Sequence, residues 1–195
     1  MQKKTINNLF LESSYLKAAR LLEKERKNKP DDLELLELLG FAYEQQAHVH
    51  SRGQIKTRYF ARARVVFERL QKCDKKGVAL RGLGTIKLHQ SKFKDAYLLF
   101  KRSLKEDPRD TKTLVALGNT SRHLGEYNKA LDWYARYRRR EGGSWQLYAN
   151  EAFTARDAGR MRLAKLRAQA ALNAWPRNSN PKLAAMQHGL EELTT

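Results

Sequence analysis

The chain has 195 residues, 41% of them hydrophobic, and carries 39 basic against 21 acidic groups, a formal net charge of +18. Apolar residues recurring at helical spacing exclude a disordered chain, and a total of five Val and three Ile argues against a β-rich fold. A single cysteine, Cys73, excludes an intrachain disulfide.

Four prolines set the phase of the chain. Pro108 and Pro176 stand 68 residues apart, twice 34, and Pro30 precedes Pro108 by 78, two such periods and ten residues more. Residues 1–32 read as a degenerate first hairpin, with Tyr15, Ala18, Leu22 and Pro30 at positions 17, 20, 24 and 32 of the period. Residues 33–76 open a second frame with Leu36, Leu39, Gly40 and Tyr43 at positions 4, 7, 8 and 11. This frame is 44 residues long, and its second helix is marked by Phe60, Ala63, Phe67 and Leu70. About ten extra residues therefore lie in or near AHVHSRGQIKTR, which predicts longer helices, a longer loop, or both. That stretch holds Arg52, Lys56 and Arg58 with no acid. It is either a tolerated insertion or a basic projection toward an acidic partner.

Frames starting at 77, 111 and 145 then align without a gap. Position 4 holds Leu80, Leu114 and Tyr148; position 8 holds Gly84, Gly118 and Ala152. Position 20 holds Ala96, Ala130 and Ala164; position 24 holds Phe100, Tyr134 and Ala168. Each frame predicts two amphipathic helices broken near position 15, at Ser91, Gly125 and Gly159, and glycine there can adopt the left-handed geometry that ends a helix. Small residues at positions 8 and 20 let the two helices approach, and large ones at 4, 7 and 24 fill the space around that contact. One hairpin cannot bury its apolar face alone, so neighbours must stack. Departures are Lys87 at position 11, Gly142 in place of proline at position 32, and Glu151 at position 7, where a leucine is usual. The frame at Glu151 is expected to be locally loose or wetted. After residue 178 the segment PKLAAMQHGLEELTT reads as a solitary helix, with Asn180 as its cap, Pro181 suited to its first turn, and Leu183, Met186, Leu190 and Leu193 in one apolar stripe. It seals the last hairpin or is offered to a partner.

Leu80, Leu83, Gly84, Ala96, Phe100 and Pro108, followed by Leu114, Leu117, Gly118, Tyr127, Ala130 and Tyr134, resemble the tetratricopeptide repeat (TPR) family. The resemblance spans residues 33–178, and a 35-residue register does not fit. It implies an all-α fold, a right-handed superhelical solenoid of helix-turn-helix hairpins with a C-terminal capping helix, built as a single domain over residues 1–195. It also implies a groove lined by the first helices, which in the family usually holds a partner segment. Carried over by position, the groove offers Glu34, Glu37 and Glu44, then Arg81, Thr85 and His89. Beyond these it offers Lys112, Asn119, Arg122 and His123, and finally Asn150, Phe153 and Arg156. A family subset grips the C-terminal carboxylate of chaperone peptides; Asn119 and Asn150 match its two amides, but Val115, Asn180 and Ala184 stand at its cationic places, so that activity is not expected.

No zinc-protease helix, phosphate loop or nucleophile elbow is present, and no enzyme activity, cofactor or small-molecule substrate is expected. His48 and His50 lack a second ligand pair at zinc spacing, so no metal site is expected. The N-terminal sequence lacks a signal-like apolar stretch, and a cytoplasmic location is expected. Charge is spread along the chain: residues 1–32, 33–76, 77–110, 111–144 and 145–195 carry +3, +4, +4, +4 and +3. The leading expectation is an adaptor that binds an acidic or extended protein segment in the groove. A secondary basic patch comprises Arg52, Lys56, Arg58, Arg138, Arg139 and Arg140. The rivals are sequence-tolerant nucleic-acid binding through the basic surface, and a chaperone or assembly factor of a secretion or pilus system.

Overall fold

A computed structural model describes residues 2–49, 53–73, 76–176 and 183–194. His50, Arg52, Asn180 and Pro181 lie outside the described residues. Among the described residues the regular elements are α-helices: α1 (Gln2–Leu11), α2 (Tyr15–Arg26), α3 (Leu33–Val49), α4 (Gln54–Gln71), α5 (Lys76–His89), α6 (Phe93–Glu106), α7 (Thr111–His123), α8 (Tyr127–Glu141), α9 (Trp145–Asp157), α10 (Met161–Asn173) and α11 (Ala184–Thr194). By its packing the chain divides into two compact units, Met1–Pro108 and Arg109–Thr195.

The breaks between paired helices repeat one backbone device. Ser13, Ser91, Gly125 and Gly159 have φ of 55°, 58°, 75° and 71°. Each is followed by an amide that reaches back five residues: Ser14 to Leu9, Lys92 to Lys87, Glu126 to Ser121, and Arg160 to Ala155, at 2.7, 3.0, 2.9 and 2.8 Å. This is the six-to-one bond of a Schellman end, which satisfies a carbonyl the terminating helix would otherwise orphan. Ser13 shows that the degenerate first hairpin keeps the same stop as the regular frames. In α3 the corresponding position is Ala47, a buried helical residue, and the helix runs on to Val49.

In the unit Met1–Pro108, α1 packs on α2, α2 on α3, α3 on α4, α4 on α5 and α5 on α6. The 17 residues of α3 and 18 of α4 exceed the 14 of α5 and of α6, so the insertion lengthens both helices of its hairpin. Its size follows from the close contacts. Gly84 faces the ring of Phe100 and Gly118 faces that of Tyr134, 16 residues on in both cases, whereas Gly40 faces Phe67, 27 residues on. Eleven residues are thus inserted between the glycine and its facing ring, and one fewer follows the ring before the next frame. Leu36, Leu39, Tyr43, Phe60, Phe67 and Leu70 form the core here. The Tyr43 hydroxyl donates to Glu23 Oε1 at 2.8 Å, joining α3 to α2. Burial, with the adjoining Glu23 carboxylate, pushes Tyr43 up to about 12.

In the unit Arg109–Thr195, α7 packs on α8, α8 on α9, α9 on α10 and α10 on α11. Asp110 caps α7, accepting from the Lys112 amide at 3.1 Å and the Thr113 hydroxyl at 2.7 Å, and Ser144 caps α9 through the Leu147 amide. Ala149, Ala152, Ala155, Ala164, Ala168 and Ala171 are buried in one cluster, so small residues on both α9 and α10 provide the close approach. Leu190 and Leu193 of α11 join that cluster, giving the C-terminal stripe a covering role.

Glu151 is neither loose nor wetted. It is 3% exposed, with Arg138 Nε of α8 at 3.3 Å from one oxygen and Arg167 Nε of α10 at 3.0 Å from the other. The Arg138 contact is a hydrogen bond, and the Arg167 contact is a charge contact without hydrogen-bond alignment. A carboxylate at a core position is tolerated because two guanidiniums, each with a solvent-exposed edge, neutralise it from either side.

Candidate functional site

The candidate binding residues fall into two groups, one in each unit. In the unit Arg109–Thr195 the geometry converges on Asp157. Arg122 of α7 donates through Nε and Nη2 to Asp157 Oδ2 at 3.1 and 2.9 Å. Arg156 donates through the same two atoms to Oδ1 at 3.1 and 2.9 Å. The guanidinium of Arg122 lies 5.9 Å, and that of Arg156 5.4 Å, from the centre of the Phe153 ring. One carboxylate and one ring thus hold two arginines together. Desolvation raises the Asp157 pKa, but hydrogen bonds and charge from Arg156 and Arg122 outweigh it and hold the acid below its ordinary value.

Asn119 is half-buried, and its Oδ1 accepts from the Tyr134 hydroxyl at 2.7 Å. Its NH2 group is the part left to meet a ligand. Burial drives the Tyr134 pKa above the ordinary phenol value. The backbone oxygen of Asn150 accepts from Thr154 Oγ1 at 2.6 Å, and its side chain is half-buried. His123 is exposed, and partial desolvation with the charge of Arg122 lowers its pKa. The Lys112 side chain is exposed beside the start of α7. In the basic segment ending α8, Arg139 and Arg140 are exposed, whereas Arg138 is engaged with Glu151.

In the unit Met1–Pro108 the residues carried over from the sequence have different neighbours. Thr85 Oγ1 donates to the Arg81 carbonyl at 3.2 Å, so this hydroxyl turns back on its own helix. Arg81 is half-buried. His89 stacks on Phe60 at 4.9 Å and meets His48 edge-on at 4.4 Å between ring centres. Lys56 Nζ lies 5.9 Å from the Phe60 ring centre, and Glu44 Oε1 lies 3.9 Å from His48 Nε2. The His89 ring keeps a solvent-exposed edge, yet partial desolvation, followed by the charges of His48 and Lys56, pushes its pKa down to about 4. Arg58 is exposed on α4. Among the described residues no group of three His, Cys, Asp or Glu is placed to hold a metal ion, and no helix is long and apolar enough to cross a membrane.

Two features lay beyond the reading of groove positions. Asp157 stands at position 13 of its frame, where the earlier frames carry His89 and His123, so its register was a usable signal. The packing of His48 and Phe60 against His89 depends on how far the inserted hairpin extends, and no spacing rule reports that.

No family model matches the sequence, and no curated protein is significantly similar to it. Solved structures are similar. TTC0263, a thermophilic TPR protein of Thermus thermophilus, matches 97% of this chain and 95% of its own at 17% identity and a TM-score of 0.73. A tetratricopeptide repeat protein of Parabacteroides merdae matches 97% of this chain and 68% of its own at 15% identity and a TM-score of 0.71. YrrB, a TPR protein with an unusual peptide-binding site, matches 96% and 88% at 15% identity and a TM-score of 0.61. With sequential helical hairpins, a shared left-handed stop and these structural neighbours, the chain has the tetratricopeptide-repeat fold.

Proposed function

We propose that this protein is a non-enzymatic adaptor that binds an extended, acidic segment of a partner protein on the face formed by α7 and α9. The observation carrying this reading is the arrangement of Arg122 and Arg156 on one carboxylate, Asp157, with both guanidiniums over Phe153. Two positive charges set against one negative leave the cluster cationic. Each arginine spends one edge on Asp157 and keeps its other N–H donors for a second acid. Holding the side chains in advance lowers the ordering cost that a partner would otherwise meet. Phe153 supplies an apolar platform between the charges, and the amides of Asn119 and Asn150 suit a partner's backbone. The fold is compatible with this role, since YrrB carries a peptide-binding site on it.

Capture from nuclease-treated lysate, with wild type beside Arg122→Glu/Arg156→Glu, tests the reading. Proteins retained by wild type and lost from the charge-reversed variant support it. Equal retention by both would remove the α7–α9 face as the binding site.

A further inference from the structure

The positive charge, even along the chain, is uneven between the two helices of each hairpin. In the unit Met1–Pro108 the second helices α2, α4 and α6 carry +2, +4 and +2, and the first helices α1, α3 and α5 carry +2, −3 and +3. In the unit Arg109–Thr195, α8 and α10 carry +3 each, against +2, −1 and −2 for α7, α9 and α11. The second helices thus hold most of the positive charge, whereas the face assigned above to a protein segment is built from the first helices α7 and α9.

On α2 and α4 these cations form lines. Lys17, Arg20, Lys24 and Lys27 are all exposed and recur at intervals of three, four and three residues, along one side of α2 and its end. Arg58, Arg62 and Arg69 on α4 and Lys72 just past its end are exposed and recur at intervals of four, three, four and three residues, with Val65 in the remaining place. Asp31 contacts Arg69 at 2.6 Å, and Arg62 lies over the Tyr43 ring at 5.6 Å. At about 1.5 Å per residue, the line from Arg58 to Lys72 runs roughly 21 Å. A polyanion with a phosphate every ~3.4 Å along each strand offers several partners over that length.

We propose that the outer faces of α2 and α4 bind the phosphate backbone of double-stranded nucleic acid without reading its bases. Duplex is favoured over single strands because no aromatic of α2 or α4 among the described residues is exposed for base stacking. It is favoured over a membrane because the apolar face of α4, with Phe60, Phe67 and Leu70, is buried in the protein core, and the large apolar residues exposed on α2 and α4 among the described residues are Leu21, Ile55 and Val65, too few for a lipid-binding face. Arginine predominates on α4, and its planar fork suits phosphate oxygens.

The test is fluorescence anisotropy of a labelled duplex of about twenty base pairs, titrated across a salt series. A stripe variant carries Lys17→Glu, Lys24→Glu, Arg58→Glu and Lys72→Glu; a control carries the same number of reversals at Lys112, Arg122, Arg139 and Arg156. The stripe variant is expected to bind at least about tenfold more weakly, with a shallower dependence of log K on log salt by about three to four. The control is expected to stay within about threefold of wild type. A second stripe variant with glutamine at the same four positions, checked for helicity and melting, gives the same ranking if folding is not the cause. The proposal is overturned if wild type fails to bind duplex at about 50 mM salt. Equal losses in stripe and control variants would also overturn it, as would binding to phosphatidylserine vesicles without binding to duplex. Loss of captured protein in the control alone separates this surface from the α7–α9 face.

Discussion

The hydroxyl of Tyr134 donates to Oδ1 of Asn119 at 2.7 Å, so a core residue orients a candidate binding amide. Tyr134 is completely buried, and its ring also fills the space beside Gly118. Tyr134→Phe keeps the ring and removes the bond. Stability is expected to fall by about 1 kcal/mol. Capture of a partner is expected to weaken although residue 134 touches no solvent. A melting curve paired with the nuclease-treated capture assay checks both parts, and unchanged capture would remove Asn119 from the site.

Ser91 occupies the left-handed stop with φ of 58°, a conformation unfavourable for a residue with a Cβ. Gly125 and Gly159 adopt the same conformation without that cost. Ser91→Gly is therefore expected to stabilise the protein by about 0.5–1 kcal/mol after the extra unfolded-state entropy of glycine is deducted. Denaturant melts of the two proteins decide it; a loss of stability would mean that the serine side chain contributes more than the backbone gains.

Glu151 neutralises Arg138 and Arg167 from a buried position. Glu151→Gln retains the shape and removes the charge, leaving two guanidiniums without their acid. A destabilisation of about 2–3 kcal/mol is expected, below the largest losses for fully buried pairs because both arginines keep partial solvent contact. Replacing all three residues with apolar side chains is expected to recover most of that loss. Chemical denaturation of the single and triple variants reads the difference.

His89 binds its proton less readily in the folded chain than in the unfolded chain, its pKa lowered from 6.5 to about 4. Its contribution to stability is therefore fully present above about pH 6.5 and lost as pH falls toward about 4. Desolvation against Phe60 and the charges of His48 and Lys56 set the direction. His89→Gln is expected to melt with a smaller decrease between about pH 7 and about pH 5 than wild type. Parallel acid shifts in the two proteins would show that His89 does not carry this dependence.

Much of the hairpin architecture was legible because it is written in local side-chain size. The glycine at position 8 and the ring at position 24 meet in two regular frames, and the same pairing of Gly40 with Phe67 places the insertion. Leucine and alanine periodicity likewise placed the helices, since each helix must turn one apolar face inward. Glu151 escaped that logic. Its identity predicted water, and its burial became possible only when α8 and α10 each brought an arginine to it.

The candidate site was legible as a set of positions and not as a set of partners. Arg122 could be assigned to a face, but its bond to Asp157 joins residues 35 apart in sequence and exists because α7 packs beside α9. Charge behaved the same way: nearly equal net charge in every frame concealed its concentration on the second helices. The amino-acid sequence by itself determined the helical period, the stops and the close approaches, since these depend on residues within one hairpin. Tertiary structure alone decided which charges are neutralised, which remain exposed and which histidine is desolvated, because electrostatic energy depends on distance through space and on access to water.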